Sequence, residues 1–405
     1  MDFVTYAQSH QTKICLETGR VRSLLKKCSS PDKSFKIIHV TGTNGKGSVC
    51  SYLCEGLMLM GKKTGKFSSP ELFDITDTIT VNNTPISQTE LASIYEFLEP
   101  LSKEVEIEEG KALSQFEINF VAALLHFKNS GCTHAVIECG MGGLGDATNA
   151  IGSSDICVLT KISLDHESYL GDTLEKITAN KCGIIKENSV VFTTAKNSGV
   201  MGTIKTFAPK ERLFVADIPR CQTDGMHALF PLGSSFVRLS LCGIHQAENA
   251  ALAAKVLSFL GADEPCLKKA LSSAKNPARL EEIEKNVYFD GAHNPDGAAA
   301  LIDSINASGI DGKMVFVTGF MADKDYHTSL TLLKNLKNQN FEIYTVPVLT
   351  NPRSETVSKL ADCVRSLGFS AKEFPNVKSA IAEGKKHGDA LFIFGSLYLY
   401  KEVIK

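Results

Sequence analysis

The chain has 405 residues, 43% of them hydrophobic and 22% charged, with 43 basic against 45 acidic side chains and a formal net charge of −2. That length exceeds one comfortable core and predicts two domains, while the near-neutral balance lacks the basic face that nucleic acid demands. No apolar run approaches the roughly 20 residues needed to cross a bilayer, so neither nucleic acid nor a membrane is an expected partner.

The start, "MDFVTYAQSHQTK", has no basic stretch leading into an apolar one and is not read as a signal peptide. The twelve cysteines are scattered singly. Cys50 and Cys54 are the closest pair, and no CxxC spacing occurs. Reduced, buried thiols in a cytoplasmic protein are the expectation.

In chain order, "KIIHV" reads as a strand, followed by a glycine-rich loop and a helix over 48–60 with Val49, Leu53, Leu57 and Met60 on one face. A short strand near "TGKFSS" and an irregular segment over 68–78 come next. "ITVNNTPIS" then carries Asn82-Asn83 as a hairpin turn. Helices over 88–103 and 116–129 precede strand 134–139. Strand "DICVLTKI", helix 172–184 and strand "SVVFTT" continue the alternation. The segment 196–242 is weakly patterned, with β runs "RLFVA" and "FVRLSLC", before a clear helix over 246–260.

Around 272–286, with Pro277, the pattern resets and predicts a linker. A second series follows: "VYFDGA", helix 295–307, "MVFVTGF", helix 328–336, "FEIYTVPV", helices 354–367 and 376–386, and "ALFIFG". Such alternation predicts α/β layers. The expected domains are 1–276, with a mostly parallel sheet around the glycine loop, and 277–405, a smaller Rossmann-like α/β domain.

The loop carries the chemistry. Phosphate oxygens need close approach to backbone N–H groups, so a glycine-rich turn opening a helix makes an anion cradle. In "GTNGKGS" the glycines 42, 45 and 47 bare the main chain, Lys46 supplies a charge, and Ser48 opens the helix. The spacing departs from G-x4-G-K-[ST]: Val40 stands where the first glycine belongs, and Gly47 separates Lys46 from Ser48. Without a ligand, the same residues would be a simple glycine turn.

The wording of that loop resembles the Mur ligase superfamily, and more closely its folylpolyglutamate synthase/dihydrofolate synthase family. Further segments are similar to family motifs in the same order: "SSPEL" (68–72), "FEINFVAAL" (116–124), "IECGMGGLGDATN" (137–149), "ISLDHESYLGDTLEKITANKCGIIK" (162–186), "GIHQAENAALA" (243–253), "NPARLE", "FDGAHNPDG" and "GSLYL" (395–399). The resemblance implies a P-loop ATPase domain plus a C-terminal amino-acid-binding domain. It implies a monomeric, ATP-dependent, ADP-forming ligase that joins a folate- or pterin-type acid to L-glutamate through an acyl phosphate. Because that reaction brings negative charges together, metal ions, lysine and aligned dipoles must carry much of the catalysis.

Residue by residue, the resemblance assigns Asn44, Gly45, Lys46, Gly47 and Ser48 to the ATP phosphates and Asn249 to the adenine side. Arg279 and Asp290 reach the nucleotide from the linker and the second domain. Two Mg²⁺ ions are implied, with Ser69, Glu138 and His166 as protein ligands. Lys181 sits where the family carries a lysine carbamylated by CO2, although Asn180 replaces the usual preceding glutamate. Phe116 and Glu117 belong to the acid substrate, and His293 and Ser396 to the incoming amino acid. Of the catalytic candidates Lys46, Lys181 and His293, only Lys46 also follows from the loop itself. Read alone, Lys181 is a solvated helix lysine, and Arg279 is a surface partner for Glu281 or Glu282. A cation on a linker also fits a gate that assembles the site on closure.

The acid side departs from the family pattern. Glu71 replaces a histidine, "DITDTI" with Asp74 and Asp77-Thr78 replaces an arginine-containing segment, and Leu144 replaces an arginine. The alternative is therefore a superfamily ligase acting on a different carboxylic acid. A P-loop kinase or GTPase switch fits less well, because "TKIS" (160–163) is no guanine-reading N-K-x-D. A non-catalytic ATP binder would not need the inferred metal set.

Overall fold

The computed structural model describes residues 16–404. They fall into two compact units: residues up to Ile218 with Asn249–Ala270, and Pro219–Glu248 with Leu271 onward. The sequence cut after residue 276 runs differently from these contacts. Residues 219–248 join the second unit because β11 (Ser235–Cys242) is tied to the chain after Ala270, through Ser240 Oγ donating to Leu271 O and to Ala274 O at 2.7 Å.

The first unit is built on an eight-stranded sheet ordered β4-β3-β2-β5-β1-β6-β7-β8. Its strands are β1 Lys36–Thr41, β2 Thr64–Phe67, β3 Ile79–Val81, β4 Thr84–Pro85, β5 His134–Glu138, β6 Ile156–Leu159, β7 Val190–Thr193 and β8 Leu213–Val215. From β2 to β8 every neighbouring pair is parallel. The central strands β1, β5, β6 and β7 are short runs rich in Ile and Val and almost wholly buried, as parallel strands under helices must be. The expected hairpin turn is present, with Asn82 and Asn83 at φ 48° and 60°.

Helix Lys46–Leu59 leaves the loop after β1, and helix Gln115–Asn129 covers the sheet through Phe120, Val121 and Leu124. Helix Gln88–Glu109 runs six residues past its expected end, with Pro100 inside it. Buried Leu98, Ser102 and Val105 hold it on the core beyond the proline.

The second unit carries a three-stranded antiparallel sheet of β9 (Gln222–Asp224), β10 (His227–Leu232) and β11. Its larger sheet has six strands, β12 Glu281–Glu284, β13 Val287–Phe289, β14 Met314–Thr318, β15 Phe341–Thr345, β16 Ala371–Glu373 and β17 Ala390–Phe394. Their order is β12-β13-β17-β14-β15-β16. The core is aromatic, with Phe316 stacked on Phe392 and Phe320 edge-on to Phe394. The expected linker is not all irregular, since it contains β12, antiparallel to β13. Helices Gly19–Lys27, Ser198–Phe207, Glu264–Ser273 and Leu399–Ile404 and the short Glu167–Leu170 went unforeseen. All eleven described cysteines are free and eight are buried. Among the described residues no helix is long and apolar enough to cross a membrane.

Candidate active site

Strand order sets the place of the first unit's candidates. β1 lies between β5 and β6, so the glycine loop leaves the sheet where neighbouring connections depart to opposite sides, the place where open α/β sheets bind ligands. Val40 pairs with Glu138 and Thr41 with Leu159, which sets the ends of β5 and β6 on either side of the loop. On the far side of β5, Phe67 of β2 pairs with Ile137, bringing Ser68-Ser69 to the same edge.

The loop is held open by its own geometry. Gly42 has φ 154° and Gly45 φ 89°. A Cβ on Gly42 would overlap Thr160 Oγ1, and one on Gly45 would overlap Asn249 Oδ1. Thr43 N donates to Lys161 O at 2.8 Å, Thr43 Oγ1 to Ser163 O at 2.9 Å, and Thr160 Oγ1 to Asn44 O at 2.8 Å. The loop is thus fastened to the chain leaving β6 and needs no ligand to keep its shape. Helix Lys46–Leu59 follows with no side-chain cap, so its first turn presents main-chain donors where an anion can accept them. Buried Ser48 lies in that turn.

Two lysines converge on one carbonyl. Lys46 Nζ donates to Gly42 O at 3.1 Å and to Thr43 O at 3.2 Å. Lys181 Nζ, from helix Leu174–Cys182, donates to the same Gly42 O at 2.8 Å. Lys181 is buried, contrary to the solvated-lysine reading. Burial, then the Lys46 charge, push its ammonium down to about 7, with Asp165 and Asp146 pulling the other way. Asn180 pins the loop after β5, its Oδ1 accepting from Gly143 N at 3.0 Å and its carbonyl from Leu144 N at 2.8 Å.

Glu138 is buried at the end of β5 and helps hold the neighbouring Cys50 thiol protonated, behind burial itself. His166, at φ 52°, stands exposed on the loop after β6 with Nε2 3.9 Å from Asp165 Oδ1. Ser69 precedes a cis proline. Among the described residues no three His, Cys, Asp or Glu side chains gather closely enough to hold a metal by themselves. A carboxylate at a strand end, with a hydroxyl and an imidazole on loops that leave neighbouring strands, fits magnesium by ligand type, since that ion takes few protein groups and completes its shell with water and phosphate oxygens.

Glu117 is buried, and its carboxylate accepts from Ser114 N at 2.6 Å and pairs with buried Arg20 at 2.9 Å, contacts that tie it to the start of its own helix. Asn249, which the resemblance assigns to the adenine side, abuts Gly45. Phe116 is half-buried, its ring against Phe67 at 5.6 Å and over the Gly140 main chain, beside the end of β5.

The second unit holds the other candidates at the ends of β13 and β17, which pair in parallel. Asp290 N donates to Ile393 O, and Gly395 N to Ala292 O at 2.9 Å. Burial pushes Asp290 up to about 6 against the pull of Arg279. Arg279 lies between Ala278 at φ 61° and Leu280 at φ 46°, both fully buried. Left-handed backbone at a leucine is costly and is kept where a site demands it. Glu281 and Glu282 have other partners, Ala278 N with Tyr400 Oη and Asn286 N with Tyr288 Oη.

His293 carries its proton on Nδ1, because that atom faces Gly291 O at 2.9 Å and a carbonyl can only accept. Asn294 caps helix Pro295–Ser308, and buried Ser396 accepts from Tyr398 N at 3.3 Å.

Comparison with known proteins agrees with this geometry. Residues 40–257 match the Mur ligase middle domain, and residues 278–397 the Mur ligase glutamate ligase domain. The chain is 29% identical over 410 residues to a dihydrofolate synthase/folylpolyglutamate synthase of Bacillus subtilis, covering 96% of this chain and 94% of the relative. It is 32% identical over 309 residues to a dihydrofolate synthetase of Saccharomyces cerevisiae, covering 71% of each. The fold superposes on the Mycobacterium tuberculosis folylpolyglutamate synthase complexed with ADP at TM-score 0.88 and 27% identity, covering 99% of this chain and 96% of that one. It also superposes on a bifunctional folylpolyglutamate synthase/dihydrofolate synthase with Mn, AMPPNP and L-glutamate bound, at TM-score 0.82 and 26% identity, covering 99% and 96%.

Proposed function

Because the chain belongs to the Mur ligase family, in its folylpolyglutamate synthase/dihydrofolate synthase branch, we propose that it joins a folate-type carboxylic acid to L-glutamate, with ATP converted to ADP and phosphate. The observation that carries this reading is the open glycine loop with Lys46 and Lys181 on one carbonyl and Glu138 on the adjacent strand end.

The proposed chemistry has two steps. An oxygen of the acid's carboxylate attacks the γ-phosphorus while the bond to the β-phosphate oxygen breaks, giving an acyl phosphate and ADP. The amine of glutamate then attacks the acyl carbon, phosphate leaves, and the nitrogen gives up a proton. The N–H groups of Asn44 to Ser48 orient the phosphates, and Lys46 turns from Gly42 O to the transferring group. Ser69, Glu138 and His166 would hold magnesium, which when bound would supply charge neutralisation.

A lysine depressed to about 7 is largely neutral in mildly alkaline solution, the form that adds to CO2. Its nitrogen bonds to the carbon and loses a proton, leaving a carbamate whose oxygens are anionic. Lys181 in that state is an additional oxygen ligand for metal. In the second unit, Asp290 and Arg279 serve the nucleotide, and His293 with Ser396 the amino acid.

The test is ADP release and product mass with ATP, Mg²⁺ and L-glutamate, offering dihydropteroate, tetrahydrofolate or a muramoyl precursor in turn. Turnover with a pteroyl acid that needs both acid and glutamate is expected. ADP release independent of acid, or only with the muramoyl precursor, would overturn the reading.

A further inference from the structure

Resting on the ligase reading above, we infer that Glu281 and Tyr400 are positioning residues for the nucleotide: they lock a left-handed turn that aims Arg279, and turnover depends on them through that arginine. The turn is 278–280, just ahead of β12. Ala278 and Leu280 have φ 61° and 46° and are fully buried. Such backbone is unfavourable for residues that carry a Cβ, and it persists only where surrounding contacts over-determine it.

Those contacts are specific. One oxygen of Glu281, Oε2, accepts from Ala278 N at 2.8 Å and from Tyr400 Oη at 2.8 Å. Gly291 N donates to Ala278 O at 3.0 Å, and Leu280 N donates to the Asp290 carboxylate. Glu281 is itself placed by the sheet, since it pairs with Phe289 across the antiparallel strands β12 and β13. The buried Tyr400, from helix Leu399–Ile404, sets its ring edge-on to Phe289 at 5.1 Å. Carboxylate, phenol and Phe289 together brace the start of β12 and the turn before it.

The brace fixes where the guanidinium lies. A Cβ on Gly291 would meet Arg279 Nη1 at 2.5 Å, so Arg279 lies against bare main chain, beside the Asp290 carboxylate that attracts it. A turn released from its left-handed backbone would carry the arginine away from that place. Misplacing a group by about 1 Å can cost about 10²-fold in rate, even when the change lies far from the reacting atoms. Neither Glu281 nor Tyr400 needs to touch a substrate to matter, because both act by holding the turn.

The experiment is a double-mutant cycle on the full chain. It reads kcat/KM for ATP, with Mg²⁺, L-glutamate and dihydropteroate or tetrahydrofolate, and ADP affinity by calorimetry. Glu281→Ala lowers kcat/KM by about tenfold in the parent and by less than about twofold where Arg279→Ala is already present, and ADP affinity shows the same non-additivity. Glu281→Gln, which keeps an acceptor for Ala278 N and Tyr400 Oη, recovers most of the loss. Tyr400→Phe removes only the hydroxyl and costs about threefold, again only where Arg279 is present; it decides the matter if Glu281→Ala does not fold. Equal losses in the two backgrounds, no loss in the parent, or an Arg279→Ala variant that matches the parent would overturn the inference. ADP release by the parent that needs both acid and glutamate upholds the ligase reading whichever way the variants fall. Its absence with both acids would overturn that reading, and this inference with it.

Discussion

Replacing Lys46 with alanine separates chemistry from architecture. The half-buried side chain donates to two loop carbonyls, Gly42 O at 3.1 Å and Thr43 O at 3.2 Å. Each such bond contributes about 0.5–1.5 kcal/mol net. Gly42 O keeps its bond from Lys181, and the mutual repulsion of the two cations disappears with the substitution. The loop also stays fastened through Thr43 and Thr160. A net loss of about 1 kcal/mol follows, a melting shift of about 2–4 °C for a unit of this size. Removing a donor aimed at developing phosphate charge in a dry site costs about 10²–10³-fold in kcat. Calorimetry together with steady-state ADP release measures both. A variant with kcat within about threefold of the parent would refute the phosphate role, and a melting point lower by more than about 10 °C would make Lys46 a strut of the fold.

Other outcomes follow from the same geometry. Gly45→Ala places a Cβ on a residue at φ 89° and against Asn249 Oδ1, so ADP affinity measured by calorimetry should fall at least about tenfold; affinity within about twofold would contradict the cradle. Lys181→Met should abolish turnover yet raise stability below pH 7. The unfolded chain keeps this proton to about 10.5 and the folded one only to about 7, so the wild type gains stability as pH rises between those values, by up to about 5 kcal/mol. Urea titrations at several pH values should show that rise in the parent and not in the variant; parallel profiles would contradict a buried neutral amine. Glu117→Ala removes a carboxylate partner of buried Arg20 and the acceptor for Ser114 N, and should cost about 1–3 kcal/mol, read as a lowered urea midpoint; a loss under about 0.5 kcal/mol would contradict that structural role.

Local features of the sequence carried the frame. An apolar run, three glycines and a helical pattern determine strand, loop and helix without outside help, and Asn82-Asn83 closes its hairpin because both residues tolerate left-handed backbone. The features that stayed hidden depend on residues far apart along the chain. Lys181 meets Gly42 across 139 positions, and only that burial turns an ordinary helix lysine into a depressed base. Glu117, which the resemblance assigns to the acid substrate, meets Arg20 across 97 positions, a contact that no local pattern foretells. Thr43, Thr160 and Asn180 bear no chemical signature, yet their hydrogen bonds hold the loops. Helix Ser198–Phe207 contains Gly199, Gly202, Thr203 and Thr206, weak helix formers, and takes its shape from the packing of Val200 and Ile204. Strand β12 was hidden in the expected linker because Glu281–Glu284 holds a single apolar residue among three carboxylates.

The central claim, transfer of the γ-phosphoryl group to the acid itself, is tested most directly by isotope. Dihydropteroate labelled with ¹⁸O in its carboxylate is turned over with ATP, Mg²⁺ and L-glutamate, and the released phosphate is analysed by mass. The account predicts one carboxylate oxygen carried into each phosphate, with release dependent on both acid and glutamate. Unlabelled phosphate, or labelled acid recovered unchanged while ADP accumulates, would contradict it.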